Sequence, residues 1–526
     1  MSVFMVFVLS LLGGFAYFSR RFMGELYLER PIVLAPIVGL LMGDIQTGLI
    51  VGGTLELIFM GAVEIGGGVT ANYTIGTIIG TAFAITTGSD AQTSLTIAVP
   101  AALIGSFFEV LAKTGSTFIV NGVESSLEKG KVNIPLAVHS GNLLHGLSNF
   151  IPIFLALYLG VDAVETLLDS TPEWLQNGIE VAGNLLPALG FALLLMTLVT
   201  PLLFPFFFIG FLAAAYLDIG VLGVALFGFI IVVIIQTQFK EKEEDFSFEE
   251  TENIDEGKEQ TIISKKQFRS MYFRSFAIQS AFSFDRMQSV GFTWGLLPYL
   301  KDIYKDDHSG LISAIKRHLT FFNTHPWIAG PIYASVASLE SQKAKGEDVE
   351  ESAIQGIKAS LMGPVAGVGD SLFHGTLRPV IAGVCASLAL QGNMVAPILF
   401  FVSLNIIHLF VRWYTLKIGF DLGKQAVGII ASNTMKKIME GATMAGLMAT
   451  GALVAVWIDI STPASYTVED ETISLQDKLD EILPGMLPLA ITMLIFWMLR
   501  KRLGTVPILI IIIIVGIILG SLNILS

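Results

Sequence analysis

Isolated acidic side chains stand in an apolar, glycine-rich stretch near the beginning of this sequence. Between residues 31 and 88 the only formal charges are those of Asp44, Glu56 and Glu64. Within a membrane a carboxylate costs at least about 2.5 kcal/mol, so each one needs a partner or a polar cavity. Carboxylates are also strong acceptors for the hydroxyl groups of a polar solute. We therefore interpret Asp44 and Glu56 as candidate solute-binding residues.

The same stretch contains further candidates and allows a second interpretation. Asp44 begins the sequence DIQT and can instead cap the following helix by accepting from its backbone amides. Glu64 is expected nearer the membrane surface. Gln46, Thr54 and Asn72 are neutral hydrogen-bonding groups close to the carboxylates. The hydroxyl of Thr54 can instead bond to the backbone of its own helix.

A second group of polar residues lies in the apolar stretch 361–411. Its only formal charges are Asp370 and Arg378, and His374 and His408 accompany them. On a helix the spacing i, i+4, i+8 places Asp370, His374 and Arg378 on one face. This row is either an internal ion-pair ladder or a binding face on which Asp370 or His374 bonds to a solute hydroxyl.

Membrane-spanning helices must position these residues. Hydrophobic residues make up 53% of the 526 positions and charged residues 14%, where a soluble domain has about a quarter charged residues. The mean hydropathy is +0.71. Apolar stretches of about 18 residues or more are long enough to cross a bilayer core, and they occur at 185–217, 219–236, 394–411 and 506–525. The composition therefore predicts an all-α, polytopic membrane protein.

Glycine and proline predict that some of these helices are broken or re-entrant. Glycine costs about 1 kcal/mol in a helix interior relative to alanine, and non-helical backbone at membrane depth is tolerated only against protein or a cavity. Each half of the chain has one such segment with an isolated Gly-Asp pair, at Gly43-Asp44 and at Gly369-Asp370. Transporters often place their binding sites at such breaks and are often built from related halves. We expect two structurally related halves with broken helices at the substrate site.

The chain divides once by composition. Residues 239–267 are acidic and polar and predict a solvated linker, although an ordinary cytoplasmic loop is the alternative. Residues 1–238 form a membrane block before it. After it, residues 268–358 predict an amphipathic part on the cytoplasmic side, and residues 359–526 return to membrane character.

Positive charges between the apolar segments predict the orientation of the chain. By the positive-inside rule Arg20, Arg21 and Arg30, and the cluster at 500–502, face the cytoplasm. The N-terminus and the acidic loop 459–481 then lie outside.

Longer motifs resemble one family of sugar permeases. The stretch RPIVLAPIVGLLMGDIQTGLIVGGTLELIFMGAVEIGGG resembles the C subunit (IIC) of mannose-type permeases of the bacterial phosphotransferase system (PTS). The stretches FRSFAIQSAFSFDRMQSVGF, HLTFFNTHPWIAGPI, GIKASLMGPVAGVGDSLFHGTLRPV and EGATMAGLMATGALV resemble the D subunit (IID) of the same permeases. The resemblance covers both blocks, although family members usually keep the two subunits as separate chains.

This resemblance implies a permease of the bacterial cytoplasmic membrane that takes up a hexose or amino sugar. The IIB partner then phosphorylates the sugar at C6, using a phosphohistidine that the IIA partner charges. It also implies that the IIC and IID parts have similar folds and that pairs of them assemble as a trimer. Some permeases of this type serve as bacteriocin receptors.

The family motifs add site candidates in the second block, which are Gln288, Asn323 and His325. They also imply that Arg378 faces the incoming phosphoryl group. His325 precedes Pro326 and can instead cap a helix, and Asp285 with Arg286 can be an ion pair rather than a ligand set.

We expect no phosphotransfer chemistry by the chain itself, and no cofactor or metal. There is no GxxxxGK[ST] phosphate loop, and the seven histidines have no metal-ligand spacing. The net charge of −13 argues against a nucleic-acid partner. The alternative function is a secondary transporter that couples solute to ions through Asp44, Glu56 and Asp370. A third possible function is a pure docking role for the outer loop. The sequence does not identify which sugar is bound.

Overall fold

The computed structural model describes residues 1–61, 70–88, 91–169, 173–238, 263–422, 433–458, 460–468 and 471–525. Glu64 and most of the predicted linker, residues 239–262, lie outside the described residues. The described part of the chain is almost entirely helical, as its composition predicts.

Nine helices are described in the first block. Their bounds are α1 (Val3–Phe22), α2 (Pro31–Met42), α3 (Ile45–Ile58), α4 (Tyr73–Thr87), α5 (Ala91–Glu128), α6 (Ile134–Asp169), α7 (Glu173–Leu198), α8 (Pro205–Leu217) and α9 (Val221–Gln238). The apolar stretch 185–217 forms two helices rather than one, because Pro201 and Pro205 interrupt it. A proline inside a helix removes a backbone hydrogen bond, whereas Pro205 at the first turn of α8 is tolerated.

The second block begins with shorter helices. These are α10 (Lys265–Ser275), a 3₁₀ turn (Phe276–Gln279), α11 (Ser289–Ile303), α12 (His308–His318) and α13 (Gly330–Ala344). A capping box between Ser264 and Gln267 begins α10, so this helix starts within the stretch that composition assigns to the linker. None of these described helices is long and apolar enough to cross a membrane.

The rest of the second block returns to long apolar helices. These are α14 (Glu351–Gly369), a π-helical segment (Asp370–Leu377), α15 (Arg378–Leu390), α16 (Val395–Leu422), α17 (Asn433–Trp457), α18 (Leu475–Ile482), α19 (Met486–Arg500) and α20 (Thr505–Ser521). A two-stranded antiparallel hairpin, β1 (Ser465–Val468) and β2 (Glu471–Ser474), lies between α17 and α18, with Tyr466 opposite Ile473.

Six described helical segments are long and apolar enough to span a bilayer. They are Val3–Phe22, Ser94–Glu128, Ile134–Gly160, Glu351–Leu390, Val395–Asp421 and Glu440–Trp457. A seventh span is formed if α18 and α19, which are bent by 76°, are counted together. The chain is therefore a multi-pass membrane protein.

The predicted interruptions are present but differ in form. In the first block α2 and α3 have 12 and 14 residues, which is too short to cross a bilayer core of about 30 Å. Gly43 ends α2 with a φ of 88°, a left-handed conformation that favours glycine. In the second block the helix continues from Glu351 to Leu390 and is π-helical between Asp370 and Leu377. Segments of this kind are frequent at functional sites.

The two blocks pack closely through small residues. A side-chain carbon on Gly210 of α8 would overlap the backbone of Met448 in α17, and one on Gly451 would overlap Phe207. Similarly, Gly516 of α20 lies against the backbone of Ala182 in α7. Small residues at helix crossings in membranes allow this close backbone approach. One continuous apolar core therefore includes side chains of both blocks.

Candidate functional site

A polar cavity of about 220 Å³ lies where the two blocks meet. The first block contributes the end of α1, the loop between α1 and α2, and the start of α4. The second block contributes the 3₁₀ turn, the loop that follows α12, and the π-helical segment. The residues that line the cavity are Arg20, Arg21, Glu25, Tyr27, Glu29, Tyr73, Gln279, Phe282, Gln288, Asn323, Thr324, Pro326, Ala366, Asp370, His374 and Arg378.

The loop between α1 and α2 has an unusual backbone. Glu25 and Tyr27 have φ values of 64° and 61°, which non-glycine residues rarely adopt. Side chains of the second block hold this loop, because Gln279 Nε2 donates to Glu25 Oε1 at 2.8 Å and Asn405 Nδ2 donates to the Leu26 carbonyl at 2.8 Å. Strained backbone that the surroundings hold in place is common at binding sites.

The arginines at the end of α1 are buried between the blocks. Arg21 is 1% exposed, and its guanidinium donates to Gln279 Oε1 at 3.4 Å and to Glu109 Oε1 at 3.4 Å. Arg20 lies 3.9 Å from the carboxylate of Glu29. In this protein these arginines therefore form part of the cavity wall, a role that the positive-inside rule does not predict.

The predicted row of the second block faces this cavity. Asp370, His374 and Arg378 all line it, as the i, i+4, i+8 spacing predicts. His374 Nδ1 lies 3.5 Å from Asp370 Oδ1, and His374 Nε2 lies 3.7 Å from Glu25 Oε2. His374 thus stands between one carboxylate of its own block and one of the other block.

Arg378 lines the cavity and is largely buried. Its side chain is 4% exposed, and Nη2 donates to the Met60 carbonyl at 2.9 Å. Within the described part of the chain its Nε has no hydrogen-bond partner. A guanidinium has five donors in a fork that matches carboxylates and phosphates.

The three candidates from the IID-like motifs lie together but differ in their contacts. Gln288 and Asn323 line the cavity, whereas His325 is 1% exposed and lies just behind it. Both ends of the Gln288 amide bond to the backbone of Thr324, at 2.8 and 3.1 Å. Asn323 is half-buried, and its side chain is the better placed of the two for a solute.

Three candidates of the first block lie away from the cavity. Asp44 caps α3, since its Oδ1 accepts from the Thr47 backbone amide at 3.0 Å. Gln46 is exposed on the same helix. The Thr54 hydroxyl donates to the Ile50 carbonyl at 2.9 Å, which is a bond to its own helix.

Glu56 and Asn72 are buried near the cavity but do not line it. Glu56 is 0% exposed and accepts from Arg30 Nε at 3.0 and 3.2 Å. Asn72 caps α4, since its Oδ1 accepts from the Ile75 amide at 3.2 Å. The next residue, Tyr73, does line the cavity.

Asp285 and Arg286 form an ion pair, which is the alternative to a ligand set. Arg286 Nε lies 3.5 Å from Asp285 Oδ2, and Arg286 Nη2 lies 2.8 Å from Glu124 Oε1 in the first block. These half-exposed charges tie the blocks together outside the cavity.

Comparison with known proteins identifies the family of both blocks. Residues 1–234 match the family described as the PTS system sorbose-specific IIC component. Residues 262–525 match the PTS system mannose/fructose/sorbose family IID component. The chain belongs to this family of PTS permeases. It combines a IIC block and a IID block in one polypeptide.

Individual relatives each correspond to one of the two blocks. The fructose permease IID component of Bacillus subtilis (strain 168) is 42% identical over 255 residues, which are 47% of this chain and 92% of that protein. The mannose-specific EIID component of Escherichia coli (strain K12) is 36% identical over 261 residues, 48% of this chain and 92% of that protein. The sorbose-specific EIIC component of Klebsiella pneumoniae is 29% identical over 236 residues, 44% of this chain and 87% of that protein.

Sequence reasoning did not select the part of the cavity wall that the IIC block supplies. Arg20, Arg21, Glu25 and Glu29 lie in a short run of mixed charge between two apolar helices, which is typical of a solvated loop. The signal that could have identified them is the mixture of positive and negative charges, because residues 20–30 contain both at close spacing. In the IID block, Gln279 belongs to the quoted motif FRSFAIQSAF but had no charge to draw attention to it.

Proposed function

We propose that this chain is the sugar-translocating component of a phosphoenolpyruvate-dependent phosphotransferase system. It binds a hexose or amino sugar in the cavity between the IIC and IID blocks and presents the C6 hydroxyl to a phosphorylated IIB partner. The observation that supports this proposal is the cavity itself. Both blocks of a PTS permease contribute polar side chains to it, and together they enclose a space suited to one small polar solute.

The side chains of the cavity suit a sugar. Glu25, Glu29 and Asp370 provide carboxylate acceptors for hydroxyl groups, and Asn323 provides an amide. Charge-assisted hydrogen bonds of this kind are roughly twice as strong as neutral ones. Aromatic rings, among them Tyr73, can pack against the apolar face of a pyranose.

The same wall also suits phosphoryl transfer to a bound sugar. Nε of Arg378 has no hydrogen-bond partner among the described residues, and Arg378 directly follows the segment that carries Asp370 and His374. Positively charged groups that clamp a transferring phosphoryl group stabilise the charge that develops in the transition state. We infer that Arg378 faces the phosphoryl group while neighbouring carboxylates hold the sugar.

The relatives narrow the sugars to test first. The named relatives are fructose, mannose and sorbose permease components, so these three sugars and the corresponding amino sugars form the first panel. We further propose that the chain works with IIA and IIB partners in the bacterial cytoplasmic membrane and assembles as a homotrimer. The bacteriocin-receptor role that the resemblance implies stays a prediction.

Uptake of radiolabelled sugar distinguishes this function from ion-coupled transport. In cells or vesicles that contain the full chain, we expect uptake to require IIA, IIB and phosphoenolpyruvate and to yield sugar 6-phosphate. Vesicles that lack IIB provide the matched control. Accumulation of free sugar without the relay, abolished by a protonophore, would instead establish a secondary transporter.

A further inference from the structure

Three side chains that can ligate a metal come together at the cavity. His325, Asp370 and His374 each offer one ligand atom, and these atoms all lie within 4.8 Å of one another. Asp370 and His374 are one helical turn apart in the π-helical segment, whereas His325 lies in a different part of the chain. The fold brings them together because the π-helical segment packs directly against the loop that carries His325.

A close backbone contact makes this approach possible. A side-chain carbon on Gly369 would overlap Cβ and Cγ of His325, so only glycine fits at the start of the π-helical segment. The ring centroids of His325 and His374 are consequently 4.7 Å apart. Trp327 closes the far side, with its ring centroid 5.6 Å from that of His325.

The donors face each other without bonding tightly. His374 lies 3.5 Å from Asp370 and 3.7 Å from Glu25, whereas a strong hydrogen bond is about 2.7–3.0 Å long. Within the described residues, Oε2 of Glu25 and Nε2 of His325 have no hydrogen-bond partner, and both atoms are buried. An unsatisfied buried polar group is destabilising, and an ion held by the cluster would satisfy the ring nitrogen of His325.

We propose that His325, Asp370 and His374 bind a divalent transition-metal ion of the Zn²⁺ type, with Glu25 of the IIC block accepting a hydrogen bond from the ring nitrogen of His374 that faces away from Asp370. Imidazole and carboxylate together suit such ions, whereas Mg²⁺ and Ca²⁺ prefer oxygen ligands. Ligands at about 2.0–2.2 Å around Zn²⁺ lie closer together than 4.8 Å, so small side-chain rotations complete the site. The metal reaches it through the cavity, which Thr324 and Pro326 line on either side of His325.

The arginines that line the cavity have partners outside the proposed metal site. Arg20 lies beside Glu29, Arg21 donates to Glu109, and Arg378 donates to the Met60 carbonyl. The three ligands come from the IID block, and the contact of His374 with Glu25 connects the site to the IIC block. If the proposed sugar site is correct, the metal also competes with sugar for Asp370 and His374.

Metal binding is tested on the purified full chain without sugar, after chelator treatment. We expect one Zn²⁺ per chain by calorimetry and elemental analysis, no comparable binding of Mg²⁺, and a higher melting temperature with Zn²⁺. His325→Gln, Asp370→Asn and His374→Gln should each weaken Zn²⁺ binding by at least about tenfold, the lower end for disturbing a metal site. His308→Gln, at an exposed histidine outside the cluster, is the matched control and should bind as the unaltered chain does.

X-ray absorption at the zinc edge of the unaltered chain gives a second readout that does not depend on any variant. We expect a first shell with two imidazole nitrogens. Absence of stoichiometric binding, equal binding by folded cluster variants, or a shell without imidazole would each overturn the proposal. The two proposals can fail separately. A failed zinc test does not affect the expected relay-dependent sugar uptake, and a failed uptake test does not affect the zinc measurements.

Discussion

The two segments share an isolated Gly-Asp pair in an apolar stretch but differ in their surroundings. Asp44 follows Gly43 at a helix break, is half-exposed, and bonds to the first turn of the next helix. Asp370 follows Gly369 within a continuous helix and faces a cavity that the other block helps to enclose. The first carboxylate therefore bonds to backbone three residues away, whereas the second lies beside His374 of its own segment and faces a cavity shared with the other block.

This difference shows what an isolated charge in an apolar stretch signifies. Burying a charge is costly unless the charge has a partner. At a helix N-terminus the free backbone N–H groups can provide that partner locally. Where the helix continues without a break, as at Asp370, backbone amides are already used within the helix. The carboxylate must then be satisfied by a side chain, a solvated cavity or a ligand.

The largest expected effect comes from the buried pair of the first block. Glu56→Ala leaves Arg30 buried without its carboxylate, and breaking a buried pair costs about 3–5 kcal/mol. We expect a strongly lowered melting temperature in detergent and little protein in the membrane. The double variant Arg30→Met with Glu56→Met should regain much of that stability, because an apolar replacement of a buried pair is often tolerated. A stable Glu56→Ala protein with weakened sugar binding would instead make Glu56 a ligand.

The next effect is on sugar affinity and involves the second block. Asp370→Asn keeps the shape of the side chain but removes its charge. A hydrogen bond to a charged group is worth about 1.5–3 kcal/mol, so sugar affinity should fall about tenfold to a hundredfold. The melting temperature should change little, because the carboxylate is partly exposed to the cavity. Asp285→Asn, at an ion pair outside the cavity, is the matched control, and unchanged affinity in Asp370→Asn would move the sugar site elsewhere.

Much of the fold follows from sequence because its signals are local. Apolar length predicts the span at 394–411, nearly all of which lies in α16, whereas the stretches 185–217, 219–236 and 506–525 form shorter apolar helices. Pro201 and Pro205 divide α7 from α8 for a reason visible in the sequence. Asp370, His374 and Arg378 could likewise be selected, since isolated polar residues in an apolar helix stand out. Each of these inferences needs only the residues of one segment.

The rest of the site depends on contacts between distant segments. Glu56 is satisfied by Arg30 of another helix, and no periodicity within either helix indicates that pair. In the sequence Glu25 resembles an ordinary loop residue, and only the structure shows that Gln279 of the other block donates a hydrogen bond to it. Such pairs are decided by how the blocks pack, and the packing in turn depends on close backbone contacts such as that of Gly210 with Met448.

The smallest expected effect tests the local partner of Asp44. Asp44→Ala removes the cap of α3, and losing an N-cap carboxylate costs about 1 kcal/mol. We expect a slightly lower melting temperature and unchanged sugar affinity, measured by binding to the purified protein. Asp44→Asn is the matched control, because asparagine caps a helix about as well as aspartate, and it should melt like the unaltered chain. If Asp44→Asn keeps its stability but loses sugar affinity, the carboxylate charge of Asp44 acts on the sugar, and the contrast between the two Gly-Asp segments fails.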